Sequence, residues 1–287
     1  MPEPIIKRYP LELFGYPYTE QSEAAQQARA KQYCPFLGGT CKKPRKSEPH
    51  IKIGICSVGY RGEFLGKFLP VIICPHRFDT PLLFKAIEED YFGPLAADEK
   101  VMWATEVSLG VAGSVDYVAI KVKEEGIIDV NSDFVCVELQ AAGTTGTPWQ
   151  AFLEHKQTGK FQSDTYKYGI NWANEFLKTM MQQVYKKGVI IESWDKRIIF
   201  VIQDVALAYL HSACDTTGLR PANAADPIHF YTFRMKWDDG SNSWLLELDE
   251  KVSTNTEGIR RILAGAAKDT FPTLDKFMAN VARKLAQ

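Results

Sequence analysis

The sequence predicts an α/β fold in which helices cover a mixed β-sheet. Two β-rich runs, "SVDYVAIKV" and "DFVCVELQA", follow each other closely. After them, "DTYKYGINWANEFLKTMMQQVYKKG" has apolar residues at helical spacing, and "RIIFVIQ" has a continuous apolar run, IIFVI, of the kind found at the centre of a sheet. A helix predicted before these runs completes the order α-β-(β)-β-α-β, which is typical of an α/β core.

The chain divides by texture into two parts. Residues 1–80 are rich in Pro, Gly and Lys and have little periodic pattern, so we expect an irregular N-terminal segment without a core of its own, followed by a core domain at 81–287. At the start of the core domain, "LFKAIEEDYFGPL" predicts a short helix that stops at Gly93 and Pro94. Next, "AADEKVMWATEVSLGVAG" predicts a second helix, whose apolar face would consist of Val101, Met102, Ala104, Thr105 and Leu109.

Flanking residues give approximate ends to the remaining elements. The two strands are separated by "KEEGIIDVNS", whose Gly and Asn-Ser mark turns around a possible short strand. For the long helix, Asp164 is a candidate N-cap, and Lys186, Lys187 and Gly188 suit its C-terminus. The rest of the chain offers the strands "IHFYTFRMKW" and "SWLLELDEKV" and a closing helix that begins near Thr256.

Composition and charge restrict the class of protein only loosely. The chain has 287 residues, of which 45% are hydrophobic and 24% are charged, an ordinary globular composition. No apolar run approaches the roughly 20 residues of a membrane span, and the start, "MPEPIIKRYP", lacks the layout of a signal peptide, so we expect a cytoplasmic protein. The net charge of −1 does not require a nucleic-acid partner. It does not exclude a nuclease either, because catalytic carboxylates offset a basic groove.

Carboxylates near strand ends form the first candidate site. Side chains alternate across a strand, so Glu138 and Gln140 share one face of "DFVCVELQ" and leave the same strand end. Asp116 lies near the start of the preceding strand, and Glu106 lies on the helix predicted before it. If the two strands are neighbours, Asp116, Glu138 and Gln140 converge, and such oxygens are the ligands that Mg²⁺ prefers. The alternative is structural: Asp116 caps a turn, and Glu138 pairs with a basic residue at the sheet edge.

Cysteines form the second candidate site. Four of the six fall in the first quarter of the chain: Cys34, Cys41, Cys56 and Cys74. In a reducing cytoplasm such clustering favours metal ligation over disulfides. The spacing lacks the C-x-x-C pairs of zinc ribbons and does not choose between iron and zinc, and His50 or His76 is close enough to replace one cysteine. The basic run "KKPRK" lies inside the same segment and is suited to contacting DNA phosphates, although a solvated linker would look alike.

Together these motifs resemble a known family. Asp followed by Glu-x-Gln, after an acid on a helix, resembles the PD-(D/E)XK nuclease core in the variant where Gln replaces the usual Lys. More specifically, the chain resembles the NotI and EagI group of type II restriction endonucleases. The resemblance is carried by "FGYP", "CPFLGGTCKKPRKS", "GICS", "CPHRF" and "VDYVAIKV…DFVCVELQAAGTTGTP", and it covers the first two-thirds of the sequence.

This resemblance implies an activity and a set of site residues. It implies a homodimer that hydrolyses double-stranded DNA with Mg²⁺ at a short GC-rich palindrome and leaves 5′-phosphates. Asp116 and Glu138 would then bind Mg²⁺, Gln140 would take the place of the motif Lys, and Glu106 would be the supporting helical acid. Because neutral Gln cannot stabilise charge as Lys does, more electrostatic work would fall on the cation. The four cysteines would hold a structural iron ion, or zinc in its place.

Other functions fit the same residues. One is a different PD-(D/E)XK enzyme, such as a repair or structure-specific nuclease, and cleavage of plain duplex at one fixed site would argue against it. Another is a DNA-binding protein without activity, whose acids are structural and whose N-terminal segment is stapled by metal. The absence of cleavage with any divalent cation would favour that function. Electron transfer at a four-cysteine iron is disfavoured by the cysteine spacing and by the large acid-bearing core.

Overall fold

The computed structural model of the chain describes residues 8–45, 47–61, 68–123, 128, 130–161, 166–264 and 273–285. The strands are β1 (Pro10–Leu13), β2 (Tyr16–Pro17), β3 (Tyr33–Cys34), β4 (Gly39–Thr40), β5 (Pro44–Arg45), β6 (Glu48–Lys52), β7 (Ile55–Arg61), β8 (Phe68–Ile72), β9 (Glu99–Ser108), β10 (Ser114–Lys123), β11 (Phe134–Leu139), β12 (Thr145–Gly146), β13 (Tyr168–Gly169), β14 (Arg197–Gln203), β15 (Arg220–Pro221), β16 (Ile228–Asp238) and β17 (Ser243–Thr254). The helices are α1 (Glu23–Lys31), α2 (Pro81–Tyr91), α3 (Trp149–Thr158), α4 (Met181–Ser193), α5 (Asp204–Ala213), α6 (Thr256–Ala264) and α7 (Leu274–Leu285). None of these described helices is long and apolar enough to cross a lipid bilayer.

A seven-stranded mixed sheet forms the centre of the fold, in the order β15-β17-β16-β14-β11-β10-β9. Strand β14 pairs in parallel with both β11 and β16, whereas the other neighbours in the sheet are antiparallel. The run predicted to be a central strand is β14, and all of it after Arg197 is buried. The mixed α/β sheet that the sequence predicts is therefore confirmed.

Helices cover both faces of this sheet. On one face, Phe200 of β14 belongs to a hydrophobic cluster that includes Val184 of α4. On the other face, Val201 belongs to a cluster that includes Leu83 and Ile87 of α2. Successive residues of a strand point to opposite faces, which is why Phe200 and Val201 lie in different clusters. The α4 face is the one that bears on the candidate site.

The N-terminal segment is more regular than its composition suggests. Strands β2, β1, β7 and β8 form a four-stranded antiparallel sheet in that order. Leu13, Ile55 and Val71 lie in the same hydrophobic cluster as Phe200, so the packing continues from this sheet into the large one. The segment differs from the irregular one expected, because strands this short show too little alternation to be recognised among Pro and Gly residues. The domain boundary at residue 80 stays a prediction.

The helix expected at residues 96–113 is wrong. Glu99–Ser108 forms β9, an edge strand antiparallel to β10. Val101 and Trp103 pack against the cluster on the α2 face, while Met102 on the opposite face is 47% exposed. Apolar residues on both faces of a half-buried strand imitate helical spacing, and pairing with β10 decides between the two structures.

The long helix is confirmed, but it begins and ends later than expected: Tyr168–Gly169, inside the predicted helix, form strand β13, and the helical residues start at Trp172. A π-helical stretch at Ala173–Met180 leads directly into α4, so Gly188 lies inside the helix rather than at its end. A Cβ atom at position 188 would lie 2.4 Å from Ile228 Cδ1. The glycine therefore allows α4 to approach β16 closely. The candidate N-cap Asp164 lies outside the described residues.

The two shorter helices agree with their sequence signals. Helix α2 begins after Thr80, whose side chain accepts a hydrogen bond from the Leu83 N–H, and it ends before Gly93, which has a φ of 62°. The helix expected to begin near Thr256 begins there and is α6, but it does not close the chain, because α7 follows at Leu274–Leu285. Most of the possible short strand in "KEEGIIDVNS" lies outside the described residues.

Candidate active site

Asp116 and Glu138 lie on neighbouring strands. Strands β10 and β11 pair Tyr117 with Val137, so one step further in this register Asp116 is opposite Glu138. The Leu139 N–H donates a hydrogen bond of 2.7 Å to Asp116 Oδ2, which fixes the aspartate across the two strands. The structure thus brings together the two carboxyl groups that strand order and side-chain alternation place at one edge.

Helix α4 contacts Glu138 and Gln140 from the face of the sheet. Glu138 is buried, and its Oε1 lies 2.6 Å from Nζ of Lys187, which is buried as well. Gln140 Nε2 donates to the same Oε1 at 3.2 Å and to Gln183 Oε1 at 3.3 Å. Lys187 Nζ also donates to the Ser114 carbonyl at 2.7 Å. Gln183 and Lys187, one turn apart on α4, therefore reach both polar side chains at the end of β11.

Lys187 and Gln183 are the residues of this site that sequence reasoning missed. The sequence places Lys187 at the C-terminus of the long helix, yet it lies on the buried face of α4 with Val184 and Ile191. A lysine at helical spacing from buried apolar residues is the signal that could have found it. The pairing of Glu138 with a basic residue, which was the structural alternative, is therefore present. It does not exclude metal binding, because a carboxylate has two oxygens.

Burial dominates the electrostatics of the two carboxyl groups. It raises the pKa of Glu138; the hydrogen bond from Lys187 opposes this shift, and the charge of Asp116 adds to it. Burial also raises the pKa of Asp116, against the hydrogen bond from the Leu139 N–H. The pKa of the Cys136 thiol rises to about 12 through burial and the Glu138 charge, so this thiol is neutral. A nearby cation stabilises the ionised form of a carboxyl group, which burial alone disfavours.

One oxygen of Glu138 has no hydrogen-bond partner among the described residues. Oε2 is buried and accepts no hydrogen bond within the part of the chain that the structure describes. Leaving a carboxylate oxygen buried and unpaired is costly, so such an atom calls for a ligand. Oxygens from two carboxylates suit Mg²⁺. The residues present therefore fit a divalent cation, with Asp116 and Glu138 as the groups that would hold it.

Glu106 lies on strand β9, so its expected place on a helix is wrong. Its φ of 54° is in the left-handed region, which residues with a side chain seldom adopt. Within the ladder that pairs β9 with β10, its backbone is level with Asp116. Its carboxylate is 78% exposed and lies 3.6 Å from Lys42 Nζ. The role of Glu106 as a supporting acid stays a prediction.

The four N-terminal cysteines line one small pocket: Cys34, Cys41, Cys56 and Cys74. All four are buried free thiols. Burial raises the pKa of Cys56 well above its usual range, with the charge of Cys74 adding to it, and burial raises the pKa of Cys74 to about 11. Within the described ranges, no group of three or more His, Cys, Asp or Glu side chains is arranged to hold a metal ion. The four thiols thus line one pocket and their chemistry suits a soft metal, but their sulfur atoms are not arranged around a common metal position.

Basic residues near these cysteines have structural partners. Lys43 Nζ donates to the Ile73 carbonyl at 2.8 Å. Arg77 is buried, with Nε 3.0 Å from Glu12 Oε1. Lys42, in contrast, has an exposed side chain. Of these three residues, Lys42 is the one placed to reach a solvent-side ligand.

The comparison with known proteins gives the class and then the family. The family model described as "Restriction endonuclease NotI" matches residues 16–245. The protein is therefore an enzyme, a site-specific deoxyribonuclease whose substrate is DNA. The chain belongs to the NotI restriction endonuclease family, a group of type II restriction enzymes, which confirms the resemblance seen in the sequence motifs. The match runs past the first two-thirds of the sequence, through β16 and into β17. No curated protein matches the chain.

Proposed function

We propose that this enzyme hydrolyses both strands of duplex DNA at a short GC-rich palindrome with Mg²⁺, leaves 5′-phosphates, and uses Asp116, Glu138 and Gln140 as its site. The observation that carries the proposal is the pairing of β10 with β11, which sets Asp116 opposite Glu138, while Glu138 Oε2 is buried and accepts no hydrogen bond from any described residue. The requirement for Mg²⁺ is general among restriction endonucleases, and the donor atoms at this edge of the sheet suit that ion.

Each side chain has a distinct task in this proposal. Asp116 and Glu138 hold the cation, which when bound polarises the scissile phosphate and lowers the pKa of a water molecule. The Leu139 N–H fixes Asp116 through Oδ2, so the aspartate does not turn away from the substrate. Gln140 uses its amide nitrogen to contact Glu138 and Gln183, which leaves its carbonyl oxygen to orient a water molecule.

Single-turnover cleavage of cognate duplex tests the site. Asp116→Ala, Glu138→Gln and Gln140→Ala should each lower the cleavage rate by a factor of about 100 or more, since each removes part of a preorganised electrostatic site. Binding of the duplex should persist. Glu89→Ala, which removes an exposed carboxylate from α2, is the matched control and should cleave normally. Near-normal cleavage by Glu138→Gln at saturating protein and Mg²⁺ would overturn the assignment.

A digest of a sequenced plasmid tests the substrate and the products. Sequencing the ends of the fragments gives the target, the cut position and the chemistry of the 5′ end. One fixed GC-rich palindrome with 5′-phosphates agrees with the proposal. Cleavage directed at branched or damaged DNA, with plain duplex left intact, would instead favour a repair or structure-specific nuclease of the same superfamily.

The proposal also includes a structural metal ion in the N-terminal segment and a homodimeric state. Cys34, Cys41, Cys56 and Cys74 would together hold one structural iron or zinc ion; their convergence on one pocket supports this, although among the described residues the thiols are not arranged as a ligand set. The enzyme acts as a homodimer, since a two-fold protein matches a two-fold DNA site.

A further inference from the structure

A buried ammonium group stands at the centre of the candidate site. Lys187 is 3% exposed, and its Nζ makes two short contacts, 2.6 Å to Glu138 Oε1 and 2.7 Å to the Ser114 carbonyl. Ser114 begins β10, two residues before Asp116, and Glu138 lies near the end of β11. The ammonium therefore bridges the two strands that carry the carboxyl groups.

Fold stability alone gives little reason for a lysine at this position. Its neighbours on the buried face of α4 are apolar, and Met181, Val184 and Ile191 are completely buried. Buried ion pairs often contribute no net stability compared with apolar residues of similar volume. An apolar side chain at position 187 would serve the packing, so the charge needs another explanation.

Position 140 supplies that explanation. In the commoner form of the motif a lysine stands there, whereas this chain has glutamine, which carries no charge. Gln140 Nε2 and Lys187 Nζ both reach Oε1 of Glu138. The ammonium from α4 thus arrives at the same carboxylate oxygen as the side chain of position 140.

On the basis of the nuclease function proposed above, we propose that Lys187 supplies from helix α4 the ammonium that position 140 lacks. It is a positioning residue that acts through Glu138. By occupying Oε1, it leaves Oε2, which is buried and has no partner in the described ranges, as the oxygen that faces the cation. Gln183, one turn earlier, binds the amide of Gln140 and so holds the second polar side chain of the strand.

Exchange of the ammonium between the two positions tests this proposal. Lys187→Gln should lower the single-turnover cleavage rate at saturating Mg²⁺ about 100-fold. The double variant Lys187→Gln/Gln140→Lys should cleave at least about tenfold faster than Lys187→Gln alone. Mn²⁺ binding to the free protein, followed by electron paramagnetic resonance, should remain stoichiometric and be no weaker in Lys187→Gln, because a positive charge has left the site. Lys186→Gln removes the same charge from the exposed side of the same helix and should change neither measurement.

Several results would overturn the proposal. Cleavage by Lys187→Gln within threefold of the normal rate would do so, and so would a double variant that recovers nothing. If Lys187→Gln does not fold, we compare the Gln140→Lys variant with the double variant Gln140→Lys/Lys187→Gln instead. The double variant should then cleave at least as fast as Gln140→Lys alone, and a much slower double variant would overturn the proposal. Glu138→Gln in the same assay separates the two levels: its normal activity refutes the nuclease site, whereas its inactivity beside a normal Lys187→Gln refutes the role of Lys187 alone.

Discussion

Glu138 and Lys187 depend on each other because both are buried. The carboxylate is 7% exposed and the lysine 3%, so removing either one leaves an uncompensated charge in the interior. This interdependence predicts that a variant at either position changes stability as well as chemistry. It is the reason that Glu138→Gln, which keeps a hydrogen-bond acceptor for Lys187, is the better variant for measuring cleavage.

Glu138→Ala should therefore destabilise the protein by about 3–5 kcal/mol, since Lys187 would be left unpaired. Adding Lys187→Met should recover most of that loss, because neither charge of the pair then remains in the interior. Unfolding in urea gives both free energies of unfolding. A double variant that is no more stable than Glu138→Ala would contradict the strong coupling of the pair.

Glu106 should tolerate substitution better than Glu138. Its carboxylate is 78% exposed and pairs with the exposed Lys42, so little preorganisation is lost with it. We expect Glu106→Gln to lower single-turnover cleavage by less than about tenfold, an order of magnitude less than the loss of a preorganised group. The measurement is the same cleavage assay, with Lys42→Gln as the partner variant. A decrease in cleavage rate as large as that of Glu138→Gln would contradict this expectation and show that Glu106 takes part in catalysis.

For individual residues, the sequence predicts the candidate site residues on strands β10 and β11 but not those on helix α4. Asp116, Glu138 and Gln140 could be brought together by two local rules, alternation along a strand and pairing of strands close in sequence. Lys187 could not, because its place depends on how α4 docks on the sheet. A lysine beside Gly188 also looks like an ordinary helix end.

Among the elements, the edge strand β9 shows where pattern reading fails. Val101 and Trp103 face a hydrophobic cluster and Met102 faces outward, so both faces carry apolar residues and neither period stands out. Central strand β14 has no such ambiguity, because both of its faces are buried and residues 198–202 are all apolar. The sequence predicts buried elements better than edges for this reason.

Gln203 connects the two sheets and should be required for stability. It is buried at the end of β14, accepts a hydrogen bond from the Ile72 N–H at 2.8 Å and donates to the Pro70 carbonyl at 2.6 Å. Gln203→Leu would leave both backbone groups of β8 without this partner, so we expect a loss of about 2–4 kcal/mol in the free energy of unfolding. Urea unfolding measures it, and Gln182→Leu on the exposed face of α4 is the control. Equal stabilities of the two variants would contradict the connection.

Replacing the cysteines of the N-terminal segment should remove the structural metal ion that cross-links it. Protein purified without added metal should contain about one iron or zinc per chain, and Cys34→Ser/Cys74→Ser should lose the metal, stability and DNA binding together. Elemental analysis and thermal unfolding provide the measurements. Cys214→Ser, which alters a buried cysteine outside that pocket, is the matched control. Less than half a metal per chain, or full retention in the double variant, would contradict the metal site.

For the whole molecule, a homodimer makes a specific prediction about mixtures. If each subunit cuts one strand, dimers of a normal subunit with a Glu138→Gln subunit should nick supercoiled plasmid and accumulate open circles. Sedimentation with and without cognate duplex gives the oligomeric state. A monomer under both conditions, or a mixture that yields only linear DNA and uncut plasmid, would contradict the dimer.

The order of strands in the large sheet also bears on when the molecule becomes active during folding. The hairpin of β10 and β11 carries Asp116 and Glu138 and needs only local contacts. Strand β14 joins β11 through pairs such as Val135 with Arg197, about 60 residues apart in sequence, and contacts this distant form late. Helix α4, which brings Lys187, lies in the intervening chain and packs against β14. A newly synthesised chain would thus possess both carboxylates well before it acquires the ability to cut DNA.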